Sequence, residues 1–127
     1  MNIFVANGIS CLWDIPLFYV GWVNFMPVEI RIEDKALTAC VSGDIDHHTA
    51  AALREEIDQN VQLYNPEKLT LDFSRVSFMD SSGVGLIMGR YKLMKELGGK
   101  IGITGTSPAS ARMIKLAGLG RLEIEGV

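Results

Sequence analysis

One stretch of this chain passes from strand to helix with no loop between them. Val76-Ser77-Phe78-Met79 is an apolar strand end that runs straight into Asp80-Ser81-Ser82-Gly83. A helical pattern starts at once from about Ser81 and continues to Leu97, with Leu86, Ile87, Met94 and Leu97 as its apolar contacts. Lys68 to Phe73 alternates apolar and polar residues as a strand does, so the segment before the joint lies in a sheet. Gly98-Gly99 stops the helix, and Lys100 to Thr104 reads as the next strand. A third helix opens at Ser107-Pro108, with Ser107 as cap and Pro108 in the first helical position, and Gly118 ends it. Arg121 to Glu125 reads as a last short strand.

Upstream, Val28-Glu29-Ile30-Arg31-Ile32 and Ala36 to Val41 form two strand patterns separated by Glu33-Asp34-Lys35, a hairpin. Ser42-Gly43-Asp44 breaks the second pattern. Asp46 or Thr49 then caps an amphipathic helix carrying Ala50, Leu53, Ile57, Val61 and Tyr64, which Asn65-Pro66 terminates. Strands alternating with helices after a hairpin predict an α/β fold: a mixed sheet covered by helices. With 127 residues, the chain is long enough for a single domain with one core.

Residues 1–26 stand apart. They hold no Lys or Arg and one acid, Asp14, so a signal peptide lacks its positive start. As a membrane span the segment would bury Asp14 and be interrupted by Pro16. The expectation is a non-domain extension over 1–26, read as an upstream start before Met26 or as a membrane-associating segment, and a domain over 27–127. A membrane partner is not expected. A net charge of -3 with no basic run argues against nucleic acid. Cys11 and Cys40 show no metal-ligand spacing and are read as reduced thiols in a cytoplasmic protein.

The chemistry gathers at the joint. Hydroxyls there sit beside unpaired backbone N–H groups and the positive end of the helix dipole, a place that tolerates an anion. A phosphate carried by Ser81 or Ser82 is one such anion. Either serine can also serve simply as the helix cap. Gly83, Gly85 and Gly89 each cost on the order of 1 kcal/mol relative to Ala within a helix. They imply close packing on the sheet, or a first turn that a partner's backbone must approach. Their spacing is wrong for a dinucleotide loop, and Gly98-Gly99-Lys100-Ile101 is not a P-loop.

Two stretches together resemble the STAS-family anti-sigma factor antagonists, the sporulation anti-sigma F type in particular. They are Gly43-Asp44-Ile45-Asp46-His47-His48-Thr49-Ala50 and Ser77 through Gly85, continuing into Gly89-Arg90-Tyr91-Lys92. The resemblance covers residues 27 to about 125, although members of the family usually continue into a further C-terminal helix beyond the point where this chain ends. It implies a STAS-type sheet and a regulator without catalysis or cofactor. Unphosphorylated, the domain would bind an anti-sigma factor that is also its serine kinase and free the sigma factor. Phosphorylation of Ser81 would abolish binding, and a serine phosphatase would reset it. The resemblance places partner contacts at Asp46, His48, Asp80, Ser82, Gly83, Val84 and Gly85.

Other readings are weaker. A hydrolase would need Gly-x-Ser-x-Gly around its nucleophile, and Met79-Asp80-Ser81-Ser82-Gly83 departs from it. Asp46, His47 and His48 are too close in sequence to converge on a metal with ease. The methionines and Tyr91 read as packing residues, Arg90 and Lys92 as solvated with Arg90 able to reach a phosphate or an acidic partner, and one histidine as packed at the helix start while the other meets solvent or partner. A non-switched scaffold or transporter-associated STAS domain is the alternative class.

Overall fold

The computed structural model describes residues 3–4 and 28–127. Its elements in chain order are β1 (Ile3–Phe4), β2 (Val28–Glu33), β3 (Ala36–Ile45), α1 (His47–Tyr64), β4 (Lys68–Met79), α2 (Ser81–Glu96), β5 (Lys100–Thr104), α3 (Pro108–Leu116) and β6 (Ile124–Glu125), with a 3₁₀ turn at Leu119–Arg121. The strands form one sheet in sequential order. The hairpin β2–β3 is antiparallel, while β3, β4, β5 and β6 pair in parallel. At the edge, β1 pairs in parallel with Ile30 and Arg31. The rest of the extension expected over 1–26 lies outside the described residues.

Topology decides where the helices go. The crossovers β3–α1–β4 and β4–α2–β5 advance in the same direction, and right-handed connections of that kind put both helices on one face. Alternation along the strands then supplies that face with side chains: Leu37, Ala39 and Val41 from β3, Leu69, Leu71 and Phe73 from β4, Ile101 and Ile103 from β5. Leu53, Ile57 and Val61 of α1, Leu86, Ile87 and Met94 of α2, and Ile114 of α3 complete a single core. The other face is polar, with Glu29, Cys40, Asp72 and Thr104 abreast across four strands.

Most boundaries match the sequence reading, and two corrections concern the sheet and its cysteine. Strand β3 does not stop at Ser42-Gly43-Asp44 but runs to Ile45, through two register shifts against β4. Gly43 lies at φ +84°, a left-handed conformation that glycine adopts without strain, so the chain kinks there and stays paired. Lys68 to Met79 is accordingly one strand of 12 residues. Cys40 is buried and disulfide-bonded, not a reduced thiol. Cys11 lies outside the described residues. Among the described residues, no helix is long and apolar enough to cross a membrane.

Candidate functional site

The C-terminal ends of β3 and β4 lie side by side, with Ile45 opposite Met79. Each strand is followed at once by a helix, so two helix N-termini emerge next to each other. A hydrogen bond from the Asp80 N–H to the Ile45 carbonyl, 3.1 Å, ties the two starts together. Each helix is capped by an aspartate.

Asp46 caps α1. Its Oδ1 accepts from the backbone N–H of His48 at 2.8 Å and of Thr49 at 3.0 Å. Thr49 Oγ1 accepts in return from the Asp46 N–H at 3.0 Å, completing a capping box. Thr49 and Asp46, alternatives in the sequence, therefore act together. The Thr49 N–H above all holds the Asp46 carboxyl below its ordinary range; burial opposes it, and the N–H and charge of His48 add smaller effects in the lowering direction. Asp46 is thus a carboxylate at neutral pH.

Asp80 caps α2, its Oδ1 accepting from the Ser82 N–H at 2.7 Å. This settles what the serines do locally. Neither Ser81 nor Ser82 is the cap, because the aspartate one residue earlier already does that work. Ser81 is the first helical residue and is exposed; among the described residues nothing hydrogen-bonds its hydroxyl. Ser82 is half-buried at the mouth of a groove of about 510 Å³ between α1 and α2.

The glycines divide by face. A Cβ on Gly83 would run into the Met79 side chain, so this glycine lets α2 start tight against the strand it has just left. Gly85 and Gly89 have nothing within 4 Å of a Cβ position, and both line the groove. No internal packing demands them. Close packing on the sheet therefore accounts for Gly83 and not for Gly85 or Gly89.

Arg90 corrects a surface reading. It is 4% exposed, with Nε 2.7 Å and Nη2 3.1 Å from the two oxygens of Asp58 on α1, and Nη1 donating to the Leu86 carbonyl at 3.3 Å. Burial raises the Asp58 carboxyl and lowers the Arg90 guanidinium, effects that their mutual attraction only partly offsets. The pair ties α2 to α1 across their interface. His47 and His48 are both exposed, with ring centroids 4.0 Å apart, so neither packs into the core. Val84 is partly buried against the core. Among the described residues no cluster could hold a metal.

Two apolar residues beside the serine escaped the sequence reading. Phe78 is 56% exposed because it falls on the even positions of β4 with Asp72 and Ser74, the face opposite to that of Leu69, Leu71, Phe73 and Met79. Met88 is 42% exposed and stands two turns along α2 from Ser81. Counting the alternation onward from Leu69 would have found the first.

Comparisons with known proteins agree with this architecture. The model of the STAS domain matches residues 27–125. The anti-sigma F factor antagonist of Paenibacillus polymyxa is 33% identical over 97 residues, spanning 76% of this chain and 83% of that protein. The anti-sigma-B factor antagonist of Bacillus subtilis is 27% identical over 92 residues, 72% and 83% of the two chains. Among solved structures, the anti-sigma factor antagonist SpoIIAA in its unphosphorylated form superposes with a TM-score of 0.60 at 26% identity, covering 70% of this chain and 82% of that one. An anti-sigma factor antagonist from Mycobacterium paratuberculosis gives 0.68 at 30%, covering 79% and 85%. With the fold, the paired helix starts and these relatives in agreement, the chain belongs to the STAS domain family and groups there with the anti-sigma factor antagonists.

Proposed function

We propose that this protein is a phosphorylation-switched anti-sigma factor antagonist whose phosphoacceptor is Ser81. One observation carries the reading: the Ser81 hydroxyl is exposed and unengaged at a helix start that Asp80 already caps. The hydroxyl has no structural task at the helix start. A relative known in both an unphosphorylated and a phosphorylated form supports it, SpoIIAA, whose phosphorylated form gives a TM-score of 0.62 at 26% identity.

The partner is an anti-sigma factor that is also a serine kinase. In the transfer, Ser81 Oγ attacks the γ-phosphorus of ATP as the bond to the β-phosphate oxygen breaks; ADP leaves, and the serine proton passes to a base of the kinase. A serine phosphatase reverses the state by directing water onto the same phosphorus, releasing inorganic phosphate and restoring the hydroxyl. The fold needs no cofactor of its own for either step.

Phosphorylation adds about -1.5 to -2 charges at the centre of the docking face. The helix dipole favours that charge, while the carboxylates of Asp80 and Asp46 oppose it. Both effects act in the free and the bound protein, so the affinity change comes from the partner. A surface fitted to a neutral hydroxyl, with ADP facing it after the transfer, must accept a desolvated dianion against like charge. Binding is lost and the kinase is free to hold its sigma factor.

The test uses the anti-sigma F factor of Paenibacillus polymyxa with ATP. Mass spectrometry should find one phosphate at Ser81, none in the S81A variant, and a weakened complex after modification. Tight binding with no modification would instead favour a scaffold without a switch.

A further inference from the structure

We infer that Phe78 and Met88 are the two apolar anchors by which the kinase partner grips this protein, one on each side of Ser81, within an acidic rim that selects a basic partner surface. The inference deepens the function proposed above and rests on it.

Phe78 precedes the Asp80 cap by two residues and Met88 follows Ser81 by seven on α2. Seven residues are close to two helical turns, so Met88 lies on nearly the same line of the helix surface as Ser81. Gly85 lies between them on that line, exposed and with open space at its Cβ position. The crest therefore reads as a hydroxyl, a bare backbone and a thioether, a surface low enough in its middle for another backbone to lie on. Phe78, more than half exposed, faces Asp44 across the strand ends on the other side of the serine. Large side chains left in water beside a bare surface are the type that carries binding energy when a partner covers them.

Charge identifies the kind of partner. No Lys or Arg occurs from Val41 to Leu53 or from Val76 to Gly89, while Asp44, Asp46 and Asp80 all fall there. No ion pair to a Lys or Arg engages these three carboxylates among the described residues. A kinase surface with two apolar recesses, rimmed by Lys or Arg and flanking its phosphoryl donor, complements this face. The rim charges steer the encounter and set orientation. The phosphate enters at the centre, opposite the nucleotide, and not at the rim.

The experiment measures the dissociation constant of the full chain for ADP-loaded anti-sigma F factor of Paenibacillus polymyxa by calorimetry, with Ser81 phosphorylation as a second readout. F78S should weaken binding at least ~10-fold and M88Q by roughly 3- to 10-fold, the range of single interface anchors. L116Q is the control: Leu116 is 81% exposed but lies at the far end of α3, and its change should leave affinity unaltered. Raising salt from about 50 to 500 mM should slow association through screening of the rim. Equal affinities for wild type, F78S and M88Q overturn the anchors, as does an L116Q loss as large as that of F78S. Salt-independent association overturns the basic partner surface. If wild type binds and is phosphorylated at Ser81 while F78S and M88Q behave like it, this inference alone fails. If wild type neither binds nor accepts phosphate, the proposed function fails with it.

Discussion

The two ends of this molecule are built by different means. At the end where the strands finish and the helices begin, order comes from caps and close approach: Asp46 and Asp80 bond backbone N–H groups, and Gly83 lets α2 start against Met79. At the opposite end, order comes from charge pairs: Lys35 with Glu67 at 3.3 Å, Lys68 with Glu125 at 2.8 Å, Lys95 with Glu123 at 3.1 Å. That end also exposes Leu63, Leu97 and Leu116 and holds a cleft of about 330 Å³ lined by Tyr91, Met94 and Leu122. The difference teaches which end is free to act. Exposed ion pairs contribute little, and their carboxylates are neutralised locally. Local caps leave the first end with carboxylates that have no Lys or Arg partner among the described residues, and with a serine hydroxyl that has nothing to hold.

The largest effect should come from the serine. S81D, measured by calorimetry against the kinase partner, should lower affinity about a hundredfold, about 3 kcal/mol, with thermal unfolding little changed. A similar loss from L116D, at the other end, would break the contrast between the ends.

Next is the pair that joins the helices between the two ends. R90M leaves Asp58 without its guanidinium and should cost about 2 kcal/mol in denaturant unfolding, below the range for a fully buried pair because the Asp58 side chain is 30% exposed. Restoring much of that loss with the double variant R90M/D58N would tie it to the orphaned carboxylate.

The glycines sharpen the comparison within one helix. G83A forces Met79 aside and should destabilise by about 1–3 kcal/mol. G85A meets open space and should stabilise by up to about 1 kcal/mol, yet weaken the kinase complex. Equal unfolding midpoints for the two variants would remove the division by face.

The smallest effects are pH-dependent. Asp46 titrates below its ordinary 3.8 in the folded protein, so its cap contribution is complete above that value and is lost as pH falls through the lowered one. Lys95 is held above its ordinary 10.5, first by its hydrogen bond to Glu123, so its contribution is complete below 10.5 and lost as pH rises through the raised value. Amide exchange should therefore quicken at the start of α1 in acid and, in alkali, at the end of α2 without a matching change around Asp46.

Much of this was legible in the sequence because local chemistry and tertiary packing agree there. Lys100–Thr104 alternates, and Ser107-Pro108 begins a helix wherever it stands; Ser107 Oγ accepts from the Ser110 N–H as a cap should. Three features were hidden for physical reasons. Gly43 within a polar run reads as a strand end, since nothing local says that β4 will continue beside it. Asp80, Ser81 and Ser82 are all good caps, and only the backbone shows which one occupies the position. Arg90 finds Asp58 across 32 residues of chain, a pairing no local pattern encodes.

The register shifts between β3 and β4 carry a consequence for what lengths this joint tolerates. Ala36 faces Lys68 and Ile45 faces Met79, so β4 spends two more residues than β3 over the same stretch. Two is an even number. Met79 consequently returns to the covered face together with Ile45, and Asp80 arrives with α2 aimed along that face. Loss of a single residue between Ser74 and Phe78 would present the phenyl ring to the core, turn the methionine outward and start the helix half a pleat out of phase. Length change here is allowed only in pairs, and the serine keeps its position by parity.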